Sequence, residues 1–102
     1  MEFKDYQKKA LETAIYGVGS KIIYPALGLA NEVGEVLGKV KKCLRDNNGV
    51  FDEEWCAKIG VELGDALWYF AALAEDLDLD LDTIAANNLS KLQDRKNRGV
   101  IK

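Results

Sequence analysis

The sequence predicts an all-α fold, a four-helix, bundle-like single domain over residues 1–102 built around a central antiparallel helix pair. Three observations predict it. Apolar residues recur at helical spacing in four segments separated by turn residues. The one stretch with strand-like alternation, Leu77-Asp78-Leu79-Asp80-Leu81-Asp82, lies between two helical patterns and reads as a capped connection. With 102 residues, 48% hydrophobic and 30% charged, and one proline, the chain has the composition of a single globular domain with room for one compact site.

Each element has its own signal. A first helix is expected from Phe3 to Tyr16, where Phe3, Tyr6, Ala10, Thr13/Ala14 and Gly17 keep helical spacing until Gly17-Val18-Gly19-Ser20 ends it. Pro25 suits the first turn of a second helix, whose stripe is Leu29, Val33, Val36/Leu37, Val40 and Leu44. Asn47-Asn48-Gly49 stops that helix. Asp52 caps a third, with Glu53 and Glu54 in the first turn, where carboxylates favour the helix dipole, and it continues through Leu77. A fourth starts near Asp82 and runs through Ile84, Leu89 and Leu92 to Gly99. From Ala66 to Ala74 the third helix is apolar or aromatic throughout, so it is the central helix, and a chain this short has too little material to cover it. Part of that surface is expected to meet another subunit, in a homodimer or homotetramer.

Charge and residue usage exclude several functions. A net charge of −3 lacks the basic excess that coats a nucleic-acid polymer. With no histidine and only Cys43 and Cys56, one chain cannot build a tetrahedral zinc site or a histidine-activated nucleophile. The N-terminal residues lack the apolar stretch of a secretory signal, no apolar run approaches the ~20 residues of a membrane span, and two unpaired cysteines suit the cytoplasm. No membrane partner is expected.

Chemistry enters through a repeat. Glu32-Val33-Gly34-Glu35-Val36-Leu37 and Glu62-Leu63-Gly64-Asp65-Ala66-Leu67 share one pattern thirty residues apart, with Leu29 and Ile59 extending it. Positions three apart lie about 60° from each other on a helix, so each helix presents a carboxylate pair beside its apolar stripe. The midpoint of the repeat falls inside the Asn48-Gly49 turn, and an antiparallel hairpin therefore brings Glu32, Glu35, Glu62 and Asp65 level. Glycines at 34, 38, 60 and 64 each cost about 1 kcal/mol against alanine in a helix interior, which points to close approach by another helix or a ligand. Four level acids repel unless a cation joins them, and all-oxygen ligation selects Mg²⁺, Mn²⁺ or Ca²⁺. The plain alternative pairs Glu35 with Lys39 and leaves the other acids in solvent.

These motifs resemble the MazG-like all-α nucleoside triphosphate pyrophosphohydrolases, marked by Glu-Glu-x-x-Glu on one helix and Glu-x-x-Asp on the next. The chain reads Asn31-Glu32-Val33-Gly34-Glu35, then Glu62-Leu63-Gly64-Asp65, and the resemblance extends from Pro25 to Arg95 through Asn88-Leu89-Ser90-Lys91-Leu92. Asn31 stands where the first Glu usually lies, and its amide still offers an oxygen to metal or substrate. The resemblance implies hydrolysis of a (deoxy)nucleoside triphosphate to monophosphate and pyrophosphate, with Mg²⁺, or Mn²⁺, on Glu32, Glu35, Glu62 and Asp65. It also implies an oligomer. Residues 91–102 carry a local charge of +4 against −7 for the rest, which nominates Lys91 and Arg95 for the phosphates and Asn88, one turn earlier, for a sugar or phosphate oxygen. Trp68 and Tyr69 continue the acidic face one turn beyond Asp65, where either ring can stack a base. Two other functions fit the same residues: a module that binds metal and nucleotide without turnover, and a purely structural helical adaptor.

Overall fold

The computed structural model describes residues 1–100. It contains α1 (Phe3–Ala10), α2 (Ile23–Asp46), α3 (Glu53–Asp76) and α4 (Leu81–Asn97), with short 3₁₀ turns at Leu11–Thr13 and Val18–Ser20, and no strand among the described residues. The all-α class with four helices is the one the periodicity predicts.

The first helix is half as long as its spacing suggests. Helix continuation needs the Ala10 carbonyl for the amide of Ala14, but that carbonyl accepts from Thr13 Oγ1 at 2.7 Å and from the Trp68 indole Nε1 at 3.0 Å. Ala14 N–H turns to the Leu11 carbonyl instead, and the chain leaves extended. A side chain 58 residues away in sequence therefore ends α1 at Ala10 rather than Tyr16.

Helix α2 opens two residues before Pro25, whose missing N–H falls among the donors that a first turn leaves unpaired. It closes with Asn48 and Gly49 at positive φ, the Gly49 amide donating back to the Cys43 carbonyl. Asp52 then caps α3 by accepting from Trp55 N–H at 3.0 Å. The Leu77–Asp80 link is the expected capped connection: Asp78 takes φ 57° and Asp80 caps α4 through Asp82 N–H.

The main packing is α2 against α3, the antiparallel pair, with α1 laid across the far half of α3 and the start of α4. Ala71, Ala74 and Leu81 are buried there under Tyr6, Ala10 and Leu11. Gln7 locks the junction: its Nε2 donates to Glu75 Oε2 and the Leu79 carbonyl, and its Oε1 accepts from Leu81 N–H. A buried glutamine with all three bonds made fixes the α3–α4 corner in one geometry.

The hairpin has two unlike faces. By helical periodicity Glu32, Glu35, Glu62 and Asp65 lie on one side, while Val33, Leu37, Val40 and Leu44 of α2 and Leu63 and Phe70 of α3 lie on the other. Those six apolar residues are exposed, Leu44 at 70% and Leu63 at 55%. The radius of gyration is 16.4 Å, against about 13 Å for a compact chain of this length.

The glycines of the acidic repeat are not points of helix contact within the chain. A methyl group at position 34, 38, 60 or 64 would meet open space, so within the chain no helix approaches there. Close approach falls at Gly28, where an added Cβ would collide with the Tyr69 ring. Gly28 is one turn before Glu32, on the side that faces α3; the other four sit toward the backs and edges of their helices.

Candidate functional site

The repeat folds into a cluster. Carboxylate oxygens of Glu32, Glu62 and Asp65 all lie within 4.8 Å of one another, Glu32 from α2 and the other two from α3. They come together because the hairpin turn sits at the midpoint of the repeat, which sets the two helices in register. Glu35 is exposed and outside this trio, yet close enough that its charge, after burial and the charges of Asp65 and Glu62, helps raise the Glu32 carboxyl above the ordinary glutamate range.

Beside the trio lies a cavity of about 360 Å³ lined by Thr13, Glu32, Asp65, Trp68 and Tyr69. Trp68 is held from two sides: its Nε1 donates to Ala10 O and to Thr13 Oγ1 at 2.9 Å, and its ring meets Tyr69 edge-on at 5.0 Å. Tyr69 packs on Gly28, with Tyr24 6.3 Å away and Tyr16 stacked on Tyr24 at 4.9 Å. Burial first, then the Tyr24 phenol and the charges of Glu32 and Asp65, raise the Tyr69 phenol, which stays protonated beside the acids.

Among the described residues no ion pair balances this charge. The ion pairs among the described residues join Lys4 to Glu2, Arg45 to Asp46, Lys58 to Glu54 and Arg98 to Asp94. None touches the trio, and Glu35 is not paired with Lys39. Convergent hard oxygens, unpaired with any cation among the described residues, and an aromatic wall suit a divalent metal and a planar anion-bearing ligand.

The remaining sequence candidates stand elsewhere. Asn31 is exposed on α2, next to Glu32 in sequence but outside the cavity lining. Asn88 and Lys91 line a separate hollow with Ile84 and Asn87 on α4, and Arg95 is half-buried with its Nη1 enclosed and lacking a partner among the described residues. Sequence reasoning also missed Thr13, Tyr24 and Gly28. Gly28 alone carried a signal, since it sits four residues before Glu32 on the same side of α2.

Residues 25–100 match the family described as the MazG nucleotide pyrophosphohydrolase domain, so the chain belongs to that family. It is also similar to the Gene 37 protein of Mycobacterium phage L5, 48% identical over 102 residues that cover 94% of this chain and 90% of that protein. No solved structure matches it. No helix among the described residues is long and apolar enough to cross a membrane.

Proposed function

We propose that the chain is a Mg²⁺-dependent nucleoside triphosphate pyrophosphohydrolase, with Mn²⁺ able to replace Mg²⁺, releasing monophosphate and pyrophosphate. The observation that carries this reading is the convergence of Glu32, Glu62 and Asp65 beside an aromatic-walled cavity. These three carboxylates hold the cation, with Glu35 at the rim as a fourth ligand or as the group that orients water. A bound divalent cation supplies neutralisation of triphosphate oxygens and a more acidic water. Trp68 and Tyr69 receive the base, and Asn31 offers an amide to sugar or phosphate at the edge.

The far phosphates need cations that one cavity lacks. We assign them to Lys91 and Arg95, with Asn88 beside them, brought to the site by assembly into a homodimer or homotetramer. The surface supports assembly: the chain exposes 7367 Å², roughly 1,600 Å² more than a compact monomer of this mass. An obligate homodimer hides about 1,000 Å² or more per chain, and the six-residue apolar face supplies suitable surface. Pinned at base and terminal phosphates, a nucleotide sets its α-phosphate nearest the acids.

Hydrolysis in ¹⁸O-labelled water with Mg²⁺ and a panel of triphosphates tests the reading. Label in the monophosphate, with pyrophosphate as co-product, is expected. Diphosphate with labelled orthophosphate refutes attack at the α-phosphorus, and no turnover of any triphosphate refutes the enzyme.

A further inference from the structure

We propose that Asp76 is a positioning residue for the base end of the acid cavity, acting through the segment from Ala14 to Ile22. The inference rests on the nucleotide reading above and adds a residue that the acidic repeat does not contain.

Asp76 is out of place as a helix residue. It is the last residue of α3, where the helix dipole favours cations, and the last turn holds no basic side chain. Its Oδ2 accepts two hydrogen bonds from the segment ahead of α2, one from the Tyr16 hydroxyl at 2.8 Å and one from Ile22 N–H at 2.9 Å. Ile22 sits at φ 70°, ψ −58°, with Ile23 N–H donating to the Lys21 carbonyl at 2.7 Å. That is a γ-turn of the rare strained hand, here carrying a β-branched side chain. Such a conformation persists only where its surroundings hold it, and the segment has little packing of its own: Ile15 is 97% exposed and Val18 82%. The Asp76 carboxylate is therefore the main tie.

The tie reaches the site through rings. Tyr16 stacks on Tyr24, Tyr24 stands against Tyr69, and Tyr69 forms the cavity wall with Trp68. Asp76 thus fixes the outer end of an aromatic row whose inner end is where a base docks. Releasing it leaves the acids in register, because the hairpin alone sets them, but removes the backing of Tyr24.

The test compares wild type with Asp76→Ala, Asp76→Asn and Tyr16→Phe, measuring kcat and KM for triphosphate with Mg²⁺, the nucleotide dissociation constant from tryptophan fluorescence, and trypsin cleavage after Lys21. Asp76→Ala, which loses both bonds, is expected to raise KM and the dissociation constant about tenfold, since only part of their charge-assisted strength is felt at the cavity, while kcat stays within about twofold. Asp76→Asn, which keeps an acceptor oxygen, should recover part of the loss. Tyr16→Phe keeps the ring and should show a smaller rise that does not add to that of Asp76→Ala. Cleavage after Lys21 should be faster in Asp76→Ala and slowed by nucleotide in wild type. An active wild type whose Asp76→Ala variant keeps its KM, or loses kcat and melting temperature alone, overturns the positioning role and leaves the enzyme reading standing. A wild type that neither binds nor hydrolyses any triphosphate overturns both, even if Asp76→Ala is cut faster after Lys21.

Discussion

Alanine should stabilise the chain at Gly34 but not at Gly28, although both glycines lie inside α2. In a helix interior alanine is about 1 kcal/mol more favourable than glycine. At Gly34 the new methyl meets open space, so the whole gain is expected. At Gly28 the methyl collides with the Tyr69 ring, which Trp68 and Tyr24 flank and which cannot turn aside without disturbing them. Forcing an extra carbon into such a contact costs about 1–3 kcal/mol, which cancels or exceeds the propensity gain. The two variants should therefore differ by about 1–3 kcal/mol. For a domain of this size each kcal/mol moves the melting temperature by roughly 4–8 °C, so circular-dichroism melts resolve the difference. Gly28→Ala should also weaken nucleotide binding, because the displaced ring is the cavity wall. If Gly28→Ala stabilises as much as Gly34→Ala, the Tyr69 ring does not rest on that backbone and the account of the aromatic wall fails.

Other consequences are open to measurement. Millimolar Mg²⁺ should raise the melting temperature over EDTA, by the equivalent of ~2.7 kcal/mol at a hundredfold excess over the dissociation constant. Glu62→Gln should abolish that rise while stabilising the metal-free chain, since one of three mutually repelling charges is gone; identical wild-type melts with and without Mg²⁺ refute the cluster. The Tyr16 phenol is pushed up to about 12, by burial first and then by its bond to Asp76, with Asp76, Glu75 and Tyr24 adding. Its contribution to stability is complete below the ordinary tyrosine value and is lost as pH rises toward 12, because the unfolded chain releases that proton first. Alkaline denaturation of Tyr16→Phe should fall less steeply there than that of wild type. Light scattering should give a mass of at least two chains, and mixing inactive Glu62→Gln with Lys91→Ala should restore part of the turnover, as one mixed site regains both groups. A mass near 11.3 kDa excludes the assembly.

What the sequence discloses follows from how local each determinant is. The hairpin was legible because the acidic repeat, the Asn47-Asn48-Gly49 turn and the Asp52 cap are written in consecutive residues, and 3.6-residue periodicity converts them directly into a shared face. The end of α1 was not legible, because Trp68 takes the Ala10 carbonyl from 58 residues away. Propensity yields to a tertiary bond there, and Tyr16 becomes free to reach Asp76. Which glycines the chain itself approaches was not legible for a related reason. Glycine reports that a methyl is missing, and only the fold tells whether something fills its place; it does so at Gly28 and leaves 34, 38, 60 and 64 open.

The two faces of the hairpin bear on each other. Three close carboxylates, with no cation paired to them among the described residues, repel one another across the α2–α3 seam, and after burial their charges help raise the Glu32 carboxyl. The apolar residues on the opposite side lie too far outward to oppose that repulsion within one chain, since Leu37, Leu44 and Leu63 are exposed. Covering that face with a second copy would clamp the helices from behind while a divalent cation draws them together in front. Metal and assembly would then stabilise the same helix pair, and each should strengthen the other: Mg²⁺ should tighten the oligomer, and dilution should weaken metal affinity. Sedimentation at falling protein concentration, with and without Mg²⁺, reads this coupling. A dissociation constant indifferent to Mg²⁺ would show that the faces act independently.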